Sequence, residues 1–293
     1  MKKKLSASGL FFDSFNYIFF GLFVFSIVYI LWNIVVMSIS PEVENSSLSF
    51  RLWPNHIDFT SYREIWVASK LNKAFFNTVY ITVFGTLLHV LFCTMAGYAL
   101  AKPDYPLKNT ILNVILATMI IPGQMIMVPL FVVYRNLKLI NNMNALVISG
   151  LISGFAIIVM RNYFMGVPAT LAEAAKIDGA SEFRVFWKIY LPISLPGLTT
   201  ITLFQMVAKW NTFFDGILFI NDSGKQPLQV VLRSIVAALT NPNPNASSSG
   251  SVQMFGKNLQ SAAIIISIIP LLVAYPYMQK YFVKGIIVGS VKE

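Results

Sequence analysis

Two histidines, one cysteine and twelve carboxylates are what these 293 residues offer to acid–base, nucleophilic or metal chemistry. Their spacing builds none of it. His56 and His89 lie far apart, without the spacing of metal ligands. Cys93 stands alone inside an apolar run, which excludes an intramolecular disulfide. No G-x-x-x-x-G-K-[ST] and no G-x-G-x-x-G occurs, so the chain brings no P-loop to a nucleotide. Glu173 is an acid with no catalytic partner beside it. No catalytic residue, no metal site and no cofactor bound by this chain are expected.

The charges concentrate instead in one stretch, "EAAKIDGASEFRVFWKIYLP" at 173–192, where Glu173, Asp178 and Glu182 alternate with Lys176, Arg184 and Lys188. Pro168 suits a first helical turn, and "ATLAEAAKI" continues it with strong helix formers. Gly179 stands where a left-handed residue would end that helix. Ser181 can cap a second helix, "EFRVFWKIY", that Pro192 is expected to end. Ala172 and Ala175 leave a surface on which another backbone can come close. Phe183, Phe186, Trp187 and Tyr190 form an apolar face expected to pack back under neighbouring helices. An amphipathic helix lying on a lipid surface would look similar, but small residues beside a turn glycine suit docking better than anchoring.

A second polar group, "AKWNTFFD" at 208–215, places Lys209, Trp210, Asn211 and Asp215 in or beside an apolar run. Ionisable groups there are costly unless they face water or a partner. An aromatic face and an amide also suit a sugar ring and its hydroxyls. Two readings stay open: a translocation pathway, or helix–helix glue with Lys209 snorkelling to an interface. Met125 and Met127 can likewise line a gate or make ordinary apolar contact.

The segments that position these groups are apolar. The chain is 56% hydrophobic and 12% charged, about half the charge of a soluble domain. Six runs, at about 17–39, 75–101, 109–134, 143–164, 196–220 and 259–282, each reach the roughly 20 residues that a bilayer core requires. Pro122 and Pro129 in the third are compatible with a kinked span. Between the runs lie a loop at 165–195 and two long polar loops at 40–72 and 221–258, the latter including "NPNPNASSSGS". The net charge of +10 fits cytoplasmic loops and anionic lipid, not nucleic acid. With both termini inside, the inner segments carry twelve Lys and Arg and the outer ones nine, and the long outer loops weigh least in that comparison. Both termini and the 165–195 loop are therefore expected in the cytoplasm, and 40–72 and 221–258 outside it. The expected protein is all-α, a single permease domain over 1–293 with six transmembrane helices.

Glu173-Ala174-Ala175, Gly179, Ile189 and Leu191-Pro192 follow without departure the EAA signature of permease subunits of bacterial ABC importers. "IIPGQMIMVPLFVVYRNLKLINN", "WNTFFDGILFINDSGKQPLQVVLR" and "YPYMQKYFVKGIIVGSVKE" resemble the MalG-type subunit of carbohydrate importers. "LWPNHIDFTSYREIW" and "QKYFVKG" are similar to its LplC/YtcP branch, which is associated with complex and uronate-containing oligosaccharides such as alginate. The resemblance implies a type I importer permease fold in a bacterial inner membrane. It implies that Glu173, Ala174, Ala175, Gly179, Ile189, Leu191 and Pro192 couple the spans to an ATPase. It further implies a homologous MalF-like second permease, two ATPase subunits carrying ATP and Mg, an extracytoplasmic solute-binding protein and an oligosaccharide substrate. By the same resemblance the tail at Lys292 and Glu293 reaches towards the ATPase dimer. A non-sugar ABC permease is the alternative. A secondary transporter would need acids paired at mid-membrane or inverted repeats, and an embedded enzyme would need a catalytic constellation. Neither is found.

Overall fold

The computed structural model describes residues 7–41, 52–68, 71–240 and 256–290. The basic N-terminus, parts of both long polar loops and the Lys292–Glu293 tail lie outside the described residues, as do the side chains of 277–290. Among the described residues the chain is all-α, without a strand. It divides into two packed units, 1–71 with 232–266, and 72–231 with 267–293.

In the first unit, α1 (Ala7–Ser38) carries an apolar stretch, Phe11–Ser38, with mean hydropathy 2.4. None of its most apolar window is buried within the chain, as lipid or another subunit would require of a helix that is hydrophobic all round. Its C-terminal end meets α2 (Thr60–Ala68), where the Ser38 and Tyr62 hydroxyls lie 2.7 Å apart. Asn258, near the start of α13 (Lys257–Ser290), donates to Ser61 Oγ at 2.8 Å. Ahead of α2, Asp58 accepts from the Thr60 hydroxyl at 2.6 Å and amide at 2.8 Å, and these bonds hold its carboxyl below the ordinary range.

The second unit is built on α3 (Leu71–Ala101), followed by α4 (Lys108–Ile120), α5 (Gly123–Asn136), α6 (Met143–Ile148) and α7 (Gly154–Met165). After these come α8 (Ala169–Ile177), α9 (Glu182–Ile193), α10 (Leu195–Trp210), α11 (Phe214–Phe219) and the start of α12 (Leu228–Thr240), up to residue 231. The third apolar run is not one straight helix. Ile121 precedes a proline and is extended (φ −80, ψ 118), as the ring of Pro122 demands. The chain bends there by 104°, whereas Pro129 is accommodated inside α5. By length and composition α1, α3 and the first part of α13 can each cross a membrane, and the number reaches six when each of three bent pairs is one crossing.

The core between α3, α7, α9 and α10 contains Cys93, Leu100, Ile157, Met160, Phe164 and Phe186. Gly97 lets α3 approach α7, since a Cβ there would fall 3.0 Å from Met160 Cβ and 3.1 Å from the Arg161 amide and the Ile157 carbonyl. A larger residue must push two backbones apart. We expect Gly97→Leu to lower stability by about 1–3 kcal/mol. Gly21→Leu, on the open side of α1 with nothing within 4 Å, should not. Thermal unfolding of the two variants in detergent checks the difference.

Candidate functional site

α8 ends as its sequence requires. Gly179 adopts φ +78, the Ala180 amide reaches back to the Ala175 carbonyl at 2.9 Å and the Gly179 amide to that of Lys176 at 3.0 Å. Those two bonds are a Schellman motif. Two residues on, Ser181 caps α9, its Oγ accepting from the Arg184 amide at 3.4 Å. The helix, glycine turn and second helix thus form over the expected residues.

Two expectations fail. Pro192 does not end the second helix. Over Phe186–Tyr190 the backbone widens into a π-turn, closed by the Leu191 amide bonding to the Phe186 carbonyl. Such a register shift accommodates the amide that Pro192 lacks. The break comes two residues later at Ser194 (φ −92, ψ 17), ahead of Pro196, and turns the chain by 82°. Nor does the aromatic face pack back as a whole. Phe186 is buried and Tyr190 half-buried, but Phe183 is 65% exposed and pairs edge-on with the exposed Trp187 at 5.9 Å.

What holds the unit is one carboxylate. Glu182 Oε2 pairs with the Lys102 ammonium and accepts from the Tyr98 hydroxyl at 2.9 Å, while Oε1 pairs with Lys176 at 2.6 Å. The Lys102 ammonium also lies 4.8 Å from the centre of the Tyr98 ring. Tyr98 packs against Tyr190 at 4.9 Å and Phe186 at 5.0 Å. Hydrogen bonds from Lys102 and then Lys176 lower the Glu182 carboxyl to about 2, and in turn Glu182 raises Lys176. Beside this knot lies a cavity of about 460 Å³, lined by Lys102, Asp104, Tyr105, Glu173, Lys176 and Glu182.

The seven signature residues are divided by this geometry. Glu173, Ala174, Gly179 and Pro192 are exposed, Ala175 and Ile189 are half-buried, and Leu191 is buried in the core. Ile177, beside them on α8, is 87% exposed. Glu182 stands outside the signature, and its partners Tyr98 and Lys102 are 84 and 80 residues away, beyond the reach of any local pattern.

The 208–215 group is also divided. Trp210 is buried, its indole N–H donating to the Ser267 carbonyl at 3.0 Å and its ring edge-on to Phe75 at 5.7 Å. Lys209 is buried too, bonded to backbone carbonyls of α6 and of the link after it, so it does not snorkel. Asp215 accepts from the Ser149 hydroxyl. Asn211 is exposed, donating to the Val207 carbonyl at 2.9 Å and accepting from Gln229 at 3.3 Å. Met125 is exposed and Met127 half-buried.

The α8–α9 pair is turned out of line from α7 and α10, by 74° and 82°, and it carries the exposed residues of the signature. Residues 93–288 match the family described as "binding-protein-dependent transport system inner membrane component", and the chain belongs to that family. The polygalacturonan/rhamnogalacturonan transport system permease protein YtcP of Bacillus subtilis (strain 168) is 34% identical over 96% of this chain and 98% of its own length. Protein LplC of the same organism is 35% identical over 97% and 96%. Among solved structures, a bacterial ABC transporter involved in the import of the acidic polysaccharide alginate matches with a TM-score of 0.85 and 33% identity. The match covers 94% of this chain and 98% of that one. The fold is that of an ABC importer permease, and the chain is a transport subunit, not an enzyme.

The Glu182 knot is half exposed, so Glu182→Gln should cost less than about 1 kcal/mol. Because the folded carboxyl titrates at about 2 against an ordinary 4.5, its contribution is complete above 4.5 and is lost as pH falls towards about 2. Unfolding midpoints of wild type and variant should therefore differ by a constant amount from about pH 8 to about pH 5 and converge below.

Proposed function

We propose that this chain is one half of the translocation pathway of an ATP-driven importer of oligosaccharides, with uronate-containing ones favoured. It crosses the bacterial inner membrane six times, with both termini and the 165–195 loop in the cytoplasm. A homologous permease supplies the other half, two ATPase subunits bind ATP and Mg, and an extracytoplasmic binding protein delivers the sugar. Support for the substrate class comes from the relatives: polygalacturonan/rhamnogalacturonan is named for one and alginate for another. In the pathway group Asn211 is exposed, and its amide would meet a sugar hydroxyl alongside or in place of its bonds to Val207 and Gln229. Lys209, Trp210 and Asp215 set the backbone around it.

The observation that carries the coupling role is the exposed end of α8. Glu173, Ala174, Ile177 and Gly179 project from a helix bent 74° from α7, and the knot at Glu182 braces it from behind. An ATPase cleft would take the alanine and isoleucine surface by close packing, and one Arg or Lys across the interface would meet Glu173. ATP binding would then move α8 and α9 together, and α9 continues into α10 at Ser194.

Co-purification with the ATPase subunits tests this. Gly179 has open space for a side chain but a backbone at φ +78, so Gly179→Val should unseat the turn, whereas Gly179→Asn, which tolerates that region, should keep it. We expect Gly179→Val and Glu173→Lys each to reduce association and sugar-stimulated ATP hydrolysis at least about tenfold, roughly 1.4 kcal/mol. Full association in both variants would remove the coupling role.

A further inference from the structure

The fourth apolar run is two helices. α6 stops at Ile148, α7 starts at Gly154, and the chain between them passes through Ser149 (φ −57, ψ 128) and Gly150 (φ +62). A helix end frees as many as four carbonyls, and inside hydrocarbon each unpaired one costs several kcal/mol. Here side chains from two other helices take them. The Lys209 ammonium, from α10, donates to the Leu146 carbonyl at 2.5 Å and to that of Ser149. His89 Nδ1, from α3, lies 3.0 Å from the Gly150 carbonyl, which also accepts from Gln205 of α10 at 3.4 Å.

Asp215 completes the arrangement. Its carboxylate accepts from Ser149 Oγ, so Ser149 is bonded to the cation through its carbonyl and to the anion through its hydroxyl. Lys209 is only 5% exposed, and such a charge persists in an interior only when its donors are used. Gly85 makes the room: a Cβ there would fall 2.9 Å from Lys209 Cε and 3.3 Å from the Val147 carbonyl.

Two observations make this more than a helix cap. Lys209 is the penultimate residue of α10, and the other end of α10 meets α9 at the Ser194 bend. A displacement of the coupling helices therefore reaches the 149–153 break through this side chain. Moreover, Thr82 and Thr86, one turn apart on the face of α3 that bears Gly85 and His89, have buried hydroxyls with no hydrogen-bond partner among the described residues. These hydroxyls share a helix face with Gly85, the residue against which the Lys209 side chain packs, and they can accept hydrogen bonds.

We propose that Lys209 is the positioning residue that links the coupling helices to the break at 149–153. It holds the α6–α7 link through the Leu146 and Ser149 carbonyls in one state, and moves to the Thr82 and Thr86 hydroxyls in the other. This rests on the coupling reading of α8 and α9 given above.

The test uses the assembled transporter, with its partner permease, ATPase subunits and binding protein, in lipid nanodiscs. Ile152, exposed in the break, is replaced by cysteine and labelled with a membrane-impermeant maleimide, without nucleotide and after trapping with ATP and vanadate. Cys93 is buried, and the chain lacking Ile152→Cys gives the background. With Lys209 present, labelling should differ between the states by at least about fivefold. Lys209→Met combined with Asp215→Asn leaves no unpaired charge inside, and should reduce that difference to within about twofold while ATP hydrolysis continues. Thr82→Ala with Thr86→Ala removes only hydroxyls without partners, so it should fold and also reduce the difference. A full difference in either combination overturns the proposal. Co-purification of the ATPase, scored in the same preparations, separates the causes: lost association strikes at the coupling reading, whereas retained association with undiminished labelling changes strikes at Lys209 alone.

Discussion

Inside a bilayer a backbone carbonyl without a partner has no water to turn to, and every interruption of a helix must be satisfied by protein. That constraint organises this chain more than any pair of opposite charges. Apolar surface gains little by meeting apolar surface when lipid is the alternative, so hydrophobic packing alone gives no reason for α6 and α7 to sit where they do. The freed carbonyls at 146–153 do. They draw Lys209, His89 and Gln205 from two helices onto one five-residue link, and thereby fix the register of α3 and α10 against it. Gly85 and Gly97 then allow the close approach that these bonds require.

At the other end of the unit the logic changes from backbone to side chain. Glu182 gathers two ammonium groups and a phenol, joining α8, α9 and the end of α3 into one body. None of its bonds is strong in isolation, because the group is half exposed and screened. Their value lies in arrangement: two short helices too small to be stable alone are held at a fixed angle to a long one. A body of that kind can be pushed as a whole. Pro192 and the π-turn before it contribute by letting α9 run on to Ser194, so that a push on α9 would continue into α10.

Most local chemistry was legible in advance, the helix end expected at Pro192 excepted, and distant chemistry was not. Gly179 and Ser181 announce their roles because a left-handed turn and a helix cap are determined by residues within four positions of each other. The bend at Pro122 follows from one ring and its neighbour. Trp210 could not be placed that way: an aromatic in an apolar run looks the same whether it faces a sugar, a lipid or Ser267. Lys209 was visible as an oddity, but its partners lie about sixty residues away in sequence. Hydrophobic periodicity, which would separate core from surface in water, is silent where both sides of a helix are oily. The exposed apolar surface of α1 and the buried one of α3 carry the same kinds of residue.

The length of α10 has a mechanical meaning. Its 16 residues span about 24 Å without an internal proline beyond the first turn. A rod of that length, swung through about 10° at its Ser194 foot, carries its Lys209 tip sideways by about 4 Å. That is more than a hydrogen bond can stretch, so the tip must let go of one set of oxygens and seize another. Under the proposed coupling, small rotations at the Ser194 end of α10 would become all-or-none steps at its Lys209 end.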